Sequence, residues 1–589
     1  LKKSFLNGAI FLAPLLFLYI FCLSPYVQYG DSGELVANAY HLRTIHPPGY
    51  PLYGIVYHFL MKAIPFGSIF YKASLVTALF GYLSLILLYV STRKRLIDLM
   101  LIYLLGTSET FWRYCVLPDV FSLNCLFISI FLLVYVRPEF FQEKKTKFVL
   151  ASSVLHHHTI IFFLPLIVES WLRTTKKFYH FFEASVFVSL CLSLYCLLLL
   201  FDSSALGSWR QVDSIPEIIN HFLRKDYGTF SLTIGKNSFD LFQNLNLLAL
   251  NLTSSFWSIF IIVFSYIFRI KKFREQLKVN LINPTVTILS YIIIFFSLSS
   301  GYSSDGHYEI MFERFFLPAS MFLIFIISSI VNDKKLTKFI IGLNILVSLG
   351  IFIKMNNYSK STIIEDYSIN VLESLPEKAA LYTHGDTITF SIYYVQSVLG
   401  KRLDVPLFST ASLYPENIEK INKIKPSLFI KNDGSTILNL NDNVVFSTEP
   451  STFFFITPLE QRSLVTKIGV KNRDYLNKCD DFKKYRLRST PIGKNYNYFS
   501  SERWIFGLYS RCKFGELLKE INSKNYSKAI ELAGEISSFD PDFLPAIERK
   551  CHVLNIVRKN DRDCNKKFEE VRERIDLTNF NYTWIIPKK

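Results

Sequence analysis

Two carboxylates three residues apart, Asp31 and Glu34, follow the first long apolar run, inside YGDSGELVANAYHLRTIHPPGYPLYG (residues 29–54). A carboxylate held rigidly at a helix entrance can take the proton of an attacking hydroxyl. The spacing also serves a plainer purpose: Asp31 as N-cap with Glu34 three residues on is a variant of the capping box. The two uses are compatible. The stretch closes on His46-Pro47-Pro48-Gly49, a stiff turn in which prolines fix φ and Gly49 permits unusual φ. His46 at its start can hydrogen-bond a phosphate or a sugar hydroxyl, and Tyr50 just after it is a candidate pocket wall.

Four further stretches carry candidate groups. In SETFWRYCVLPDVFSLN (108–124), Trp112 can anchor at the membrane interface or face a sugar, and Asp119 can cap a helix or line a pocket. The run His156-His157-His158 does not make a metal site, because consecutive helical residues point roughly 100° apart. Polar groups at membrane depth usually serve function, which makes His157 and His158 candidates to face a cavity. FLRKDYGTFSL (222–232) supplies Arg224 and Lys225, and YEIMFERFFLP (308–318) supplies Arg314. Arginine suits bidentate phosphate binding. The alternatives for Arg314 are snorkelling or a pair with Glu309 or Glu313. No Walker A, GxGxxG, HExxH or Cys-x2-Cys pattern is present, so no metal ligand set is expected.

The elements that position these groups are membrane helices. Half the residues are apolar, Phe alone numbers 55, and apolar runs approach the roughly 20 residues that span a bilayer. The net charge of +17 is a topology signal. Six short stretches (2–3, 93–95, 137–147, 173–177, 269–278 and 333–338) hold 20 Lys/Arg and 4 Asp/Glu, leaving 45 basic against 44 acidic residues elsewhere. Such loops mark the cytoplasmic side, and a nucleic-acid partner is not expected. Spans are predicted at 5–24, 71–91, 96–112, 120–136, 181–201, 247–268, 281–299, 315–331 and 338–354. The N-terminus is then cytoplasmic, and 25–70, 113–119, 202–246, 300–314 and the chain after 355 lie outside. The first apolar run lacks a small-x-small cleavage site and is read as a retained span.

Residues 143–178 carry basic clusters at both ends, which a single crossing would violate. Two short helices meeting near the three histidines satisfy the rule as a re-entrant pair, tolerated where protein or water covers the turn. Beyond 360, short β-like runs alternate with a helical stretch, suggesting a small α/β unit. Ala529, Leu532 and Ile536 at helical spacing, followed by Asp540-Pro541, resemble one tetratricopeptide-type helix pair. Cys479, Cys512, Cys551 and Cys564 permit two disulfides in any of three pairings, or free thiols.

The stretches DSGELVANAYHLRTIHPPGYPLY, FWRYCVLPDVFSLN, VLHHHT, FLRKDYGTF and ERFFLP occur in the order seen in membrane proteins once grouped as domain of unknown function 2723. That family includes the transmembrane protein 260 type of protein O-mannosyltransferase, and the likeness runs over about residues 5–435. The acidic pair followed by His-Pro-Pro is similar to the first outer loop of GT-C glycosyltransferases. The resemblance implies an enzyme that moves a hexose such as mannose from a polyprenyl-phosphate carrier to a protein Ser/Thr hydroxyl, with inversion. Asp31 would be the base and Glu34 its partner, or the reverse. Asp119 stands where the family usually has Glu, and GDTITF (385–390) departs from the commoner GDNDTF.

The expected fold is a polytopic α-helical membrane protein with a GT-C-like domain (1–355) of about 11 membrane helices including the re-entrant pair. An extracytoplasmic α/β region (356–500) and a TPR-like helical region (501–589) follow. The bacterial inner membrane or the endoplasmic reticulum membrane would hold it. Its partners are a lipid-linked sugar, a protein acceptor and the bilayer, and metal dependence stays open. A glycan or lipid acceptor is the neighbouring alternative. A transporter or flippase would also hold charges in a membrane cavity, but the repeat halves of many transporters are not apparent.

Overall fold

The computed structural model describes residues 2–202, 209, 212–227, 229, 241–267, 281–298, 312–377, 379–409, 445–448, 459–462, 464–468, 479–489, 501–558 and 562–574. The basic loop 269–278 and residues 300–311 of an expected outer loop lie outside the described residues. Two compact units emerge: residues 1–25, 38–203 and 212–359 form the first, and 26–37, 204–211 and 360–589 the second.

Among its described residues the regular elements of the first unit are helices. Its helices begin with α1 (Lys2–Cys22), and α2 (Ser32–His41) starts in the second unit and ends in the first. Then come α3 (Pro51–Ala63), α4 (Ile69–Val90), α5 (Leu96–Gly106), α6 (Glu109–Val116), α7 (Phe121–Val136), α8 (Lys144–Ser152), α9 (Leu164–Leu172) and α10 (Lys177–Ser193). α11 (Ile215–Phe222), α12 (Leu241–Ile267), α13 (Ile282–Ser290), α14 (Leu317–Ile330) and α15 (Lys335–Met355) complete it. Among the described residues, five helical stretches are long and apolar enough to cross a membrane: Lys2–Cys22, Ile69–Val90, Lys177–Leu200, Leu241–Phe264 and Lys335–Met355. The pair α6 and α7, bent by 116°, makes a sixth if taken as one span. The protein is an integral membrane protein, and among the described residues its full-length spans are fewer than the nine predicted. The predicted span 96–112 shows why: α5 stops after eleven residues, where Thr107 Oγ and Ser108 Oγ turn back to the Tyr103 and Leu105 carbonyls. The Leu105 carbonyl, which a longer helix would have bonded from residue 109, instead takes the Ser108 N–H and Oγ.

The histidine segment forms a helical hairpin laid along α7. α8 and α9 have nine residues each, about 13 Å of helix, too short for an apolar layer of about 30 Å. The returning arm runs parallel to α7. His156 Nε2 donates to the Val120 carbonyl (2.8 Å), Asn124 Nδ2 to Thr159 Oγ (3.3 Å), Ser170 Oγ to the Val134 carbonyl (3.3 Å) and Arg173 to the Tyr135 carbonyl (3.5 Å). The offset of 35 to 38 residues barely changes along the pairing. Both ends of the hairpin therefore lie at the C-terminal end of α7, and its histidine tip lies at the N-terminal end.

The second unit holds a five-stranded sheet of order β2-β1-β3-β5-β4, from β1 (Ala380–Thr383), β2 (Leu407–Ser409), β3 (Val445–Ser447), β4 (Leu459–Arg462) and β5 (Val465–Ile468). β1 pairs in parallel with β2 and β3, while β5 pairs antiparallel with β3 and β4. α16 (Ile363–Glu373) precedes the sheet and α17 (Asp386–Ser397) connects β1 to β2. Four helices follow: α18 (Ser501–Asn522), α19 (Tyr526–Phe539), α20 (Leu544–Arg558) and α21 (Arg562–Arg574). Ala529, Leu532 and Ile536 face their core together with Phe514, Leu517 and Phe543. Asp540, past the end of α19, is buried in a two-pronged pair with Arg503, both bonds 2.9 Å. Of the three possible pairings the cysteines adopt Cys479–Cys512 and Cys551–Cys564.

Two predictions follow from this architecture. Lys145→Cys and Lys176→Cys variants should react with an impermeant thiol reagent from the same face of sealed vesicles; labelling from opposite faces would contradict the hairpin. Opening the Cys551–Cys564 loop of 13 residues with Cys551→Ser should lower the stability of the helical segment by about 3 kcal/mol, read by denaturant unfolding.

Candidate active site

The acid pair is positioned by the second unit, to which residues 26–37 belong. Asp31 opens α2: its carbonyl accepts from the Leu35 N–H (2.9 Å), and Gly30 before it has φ +68°. Ser32 Oγ donates to the carbonyls of Gln28 (3.0 Å) and Tyr29 (2.9 Å), closing the turn that leads into the helix. Glu34 sits in the first helical turn, where the helix dipole favours negative charge, and is 1% exposed. Asp31 is half-buried.

Contacts with the α/β portion hold this segment in place. The Val27 N–H donates to Glu365 Oε2 (3.2 Å), and Gln28 Nε2 donates to the Ser361 carbonyl (2.8 Å). Ser361 Oγ returns a bond to Gln28 Oε1 (3.0 Å). The Gly30 N–H donates to Thr387 Oγ (3.1 Å). At Gly33 the backbone of α2 meets that of α17 so closely that a Cβ would lie 2.4 Å from the Phe390 carbonyl oxygen. GDTITF, which departs from the commoner family pattern, thus supplies Thr387 and Phe390 to hold the acid segment. Burial lifts the Glu365 carboxyl above its ordinary range, against the opposing pull of Arg488.

A second cluster forms within the first unit at the tip of the hairpin. His157 Nδ1 accepts from the Thr159 N–H (3.2 Å), which makes Nε2 the protonated nitrogen of the neutral ring. Tyr50 stacks on His157 with ring centroids 5.8 Å apart, and His46 packs edge-on against Tyr50 at 5.4 Å. Phe121 borders the same histidine at 5.2 Å. Tyr50, the residue that introduces α3, holds a left-handed φ of 40°, a strained backbone for a bulky side chain. The Pro47–Pro48 peptide is cis.

Two arginines border this cluster, Arg314 and Arg224, and a third, Arg113, takes a carboxylate next to Arg314. Arg314 Nη1 lies 3.5 Å from Asp119 Oδ2, and its guanidinium lies over the rings of Phe121 and Phe315 at 5.5 and 5.9 Å. Asp119 stands in the break between α6 and α7 and also accepts from the Val120 N–H (2.6 Å). Glu313 is taken by Arg113 (2.5 Å), which also binds Glu109 (2.5 Å), so Glu313 serves Arg113 and Asp119 serves Arg314. Arg224 (φ 53°) follows α11, and its charge acts on both His157 and His158. His158 packs edge-on against Phe222 at 4.7 Å. The buried Nε of Arg224 and Nε2 of His158 have no hydrogen-bond partner among the described residues. His221, which sequence reasoning passed over although it adjoins FLRKDYGTF, links the parts. Its Nε2 donates to the Ile45 carbonyl (2.9 Å), and a Cβ on Gly49 would lie 2.9 Å from its ring.

Two candidate residues take no recorded part in this cluster. Trp112 is fully buried, a core position with no described contact to the histidines. Lys225 is exposed and turns its backbone N–H to the Asn220 carbonyl (3.1 Å). Among the described residues no group of three His, Cys, Asp or Glu could hold a metal ion.

Residues 31–177 match the protein O-mannosyl-transferase TMEM260 N-terminal domain. The resemblance is to the TMEM260 proteins. Protein O-mannosyl-transferase TMEM260 of Mus musculus is 25% identical over 419 residues, covering 64% of this chain and 59% of the relative. The Dictyostelium discoideum protein O-mannosyl-transferase tmem260 is 24% identical over 458 residues, covering 65% and 55%. The chain thus spans little more than half the length of these curated relatives. Among solved structures, ArnT from Cupriavidus metallidurans in the apo state aligns at a TM-score of 0.47 and 10% identity, over 78% of this chain and 97% of that one. The same protein bound to undecaprenyl phosphate aligns at 0.46 and 11%, over 79% and 98%.

The TMEM260-type segment begins at Asp31 itself and takes in Glu34, His46, Tyr50, Trp112, Asp119, His157 and His158, while Arg224, Lys225 and Arg314 lie beyond it. Gly33 lies inside this segment, and a Cβ there would meet the backbone of α17. Gly33→Ala should destabilise the second unit by about 1–3 kcal/mol, since the obstructing atom is backbone and cannot rotate away. An unchanged denaturant midpoint would show that the crossing has room to spare.

Proposed function

We propose that this protein is a glycosyltransferase of the GT-C type that moves a hexose, mannose by the naming of its relatives, from a polyprenyl-phosphate carrier to a protein Ser/Thr hydroxyl. One observation carries the reading: the TMEM260-type segment opens on the acid pair, and the structure holds that pair at the start of a helix by dedicated contacts. The two disulfides support an extracytoplasmic, oxidising location for the second unit.

The acceptor oxygen attacks the anomeric carbon as the bond from that carbon to the phosphate oxygen breaks. The electron pair leaves with the polyprenyl phosphate, the acceptor proton passes to a carboxylate, and the anomeric centre inverts. Asp31 is the better base of the pair, because it is half-buried where Glu34 is enclosed. Glu34 then positions it. Arg314, stacked on two phenylalanines, and Arg224, with an unpartnered buried Nε among the described residues, suit the charge that develops on the leaving phosphate. The Nε2–H of His157 can donate to the same group, and His46 sits one ring away through Tyr50.

Asp31→Asn should lower transfer from a labelled polyprenyl-phosphate mannose by about 10²–10⁴-fold while the protein stays folded and inserted. Turnover at the wild-type rate in that variant would refute the base assignment. Arg314→Lys keeps the charge and loses the planar fork, so the donor KM should rise more than kcat falls; an unchanged KM would remove Arg314 from the phosphate site.

A further inference from the structure

The contacts around the acid segment point past the acids to what holds them. Arg488 lies far along the chain from Asp31, in a short stretch of the second unit between the sheet and α18. Its Nη2 donates to Glu365 Oε1 (2.8 Å), its Nε to Asp366 Oδ1 (2.6 Å) and its backbone N–H to Asp366 Oδ2 (2.8 Å). Its guanidinium also lies 4.5 Å from the ring centre of Tyr26. Glu365 uses its other oxygen to accept the Val27 N–H (3.2 Å). Thr362 Oγ donates to Asp366 Oδ2 (2.7 Å) and also meets Ser489 Oγ at 2.7 Å. One guanidinium therefore grips the segment twice, through the Tyr26 ring and, by way of Glu365, through the Val27 backbone. Both points lie just ahead of Asp31.

From this geometry we infer that Arg488 and Glu365 are positioning residues, an ionic latch that sets where the Asp31–Glu34 pair stands. The inference rests on the transferase reading for its kinetic consequence and on the contacts alone for its structural one. The latch needs a planar cation, because a single fork must serve two carboxylates and an aromatic face together. Lysine at position 488 keeps one charge and loses that simultaneous reach. Neutral glutamine at 365 keeps an acceptor for Val27 and weakens the hold of Arg488.

The test uses the full chain in nanodiscs, with Arg488→Gln, Arg488→Lys, Glu365→Gln and, in parallel, Asp31→Asn. Arg488→Gln should reduce kcat about 10- to 100-fold, the cost of a small misplacement of a catalytic group, with donor KM within twofold of wild type. Arg488→Lys should recover only part of the loss, and Glu365→Gln should resemble it. Amide exchange across residues 26–37 should quicken at least tenfold in Arg488→Gln while α18 and α19 keep their protection. Unchanged exchange across 26–37 overturns the latch whether or not turnover is measurable. Equal loss of protection throughout the second unit also overturns it, because Arg488 would then support the unit as a whole. Normal kcat in Arg488→Gln beside an inactive Asp31→Asn rejects the latch and keeps the transferase reading. An active Asp31→Asn with quickened exchange in Arg488→Gln rejects the base assignment and leaves the latch standing.

Discussion

Everything at the acid pair depends on one close approach, that of the α2 backbone at Gly33 to the Phe390 carbonyl of α17. Helices that touch backbone to backbone leave no side chain to compress, so their separation is set by hard contact instead of soft packing. The hydrogen bonds at Val27, Gln28 and Gly30 then fix the rotation and slide that such a contact leaves free. A carboxylate carried on the first turn inherits that rigidity. The second unit is therefore a frame for the segment that carries the acids, beyond whatever its helices do for other partners.

The first unit solves a different problem, how to place polar groups within an apolar setting. Its hairpin uses α7 as a rail. Hydrogen bonds tie the returning arm to α7 along its length, and their steady offset delivers the histidines to the helix end where Asp119 stands. Charges there are matched in sets: Arg113 with Glu109 and Glu313, and Arg314 with Asp119. Pairing of this kind limits the cost of buried charge, and it keeps Arg314 on its aromatic floor instead of collapsing it onto the neighbouring Glu313.

Much of this was legible beforehand, for physical reasons that differ by residue. Basic residues at both ends of 143–178 exclude a single crossing, since charge near a membrane helix end carries orientation information. Asp31 and Glu34 stood out because carboxylates beside an apolar run are costly without a use. His221 was passed over because its role is to bond the Ile45 carbonyl, and no local pattern announces a contact across 176 residues. Arg488 was invisible for the same reason. Trp112, offered as an interfacial anchor or a sugar-facing ring, lies fully buried, because aromatic composition does not tell an interfacial ring from an enclosed one. The span 96–112 looked continuous because hydropathy does not register the turn at Ser108, whose N–H and hydroxyl both take the Leu105 carbonyl.

Local chemistry, written in the sequence alone, determined that the chain enters a membrane, that residues 29–54 hold an acid pair and a stiff turn, and that four C-terminal cysteines were available to pair. Hydropathy, charge and ring geometry act over a few residues and need no fold to be read. Tertiary structure alone decided which cysteines joined, which carboxylate met which arginine, and that Thr387, Phe390 and Glu365 would hold the acid segment. Those choices rest on distances between residues from 13 to 357 positions apart, which only the packed backbone sets.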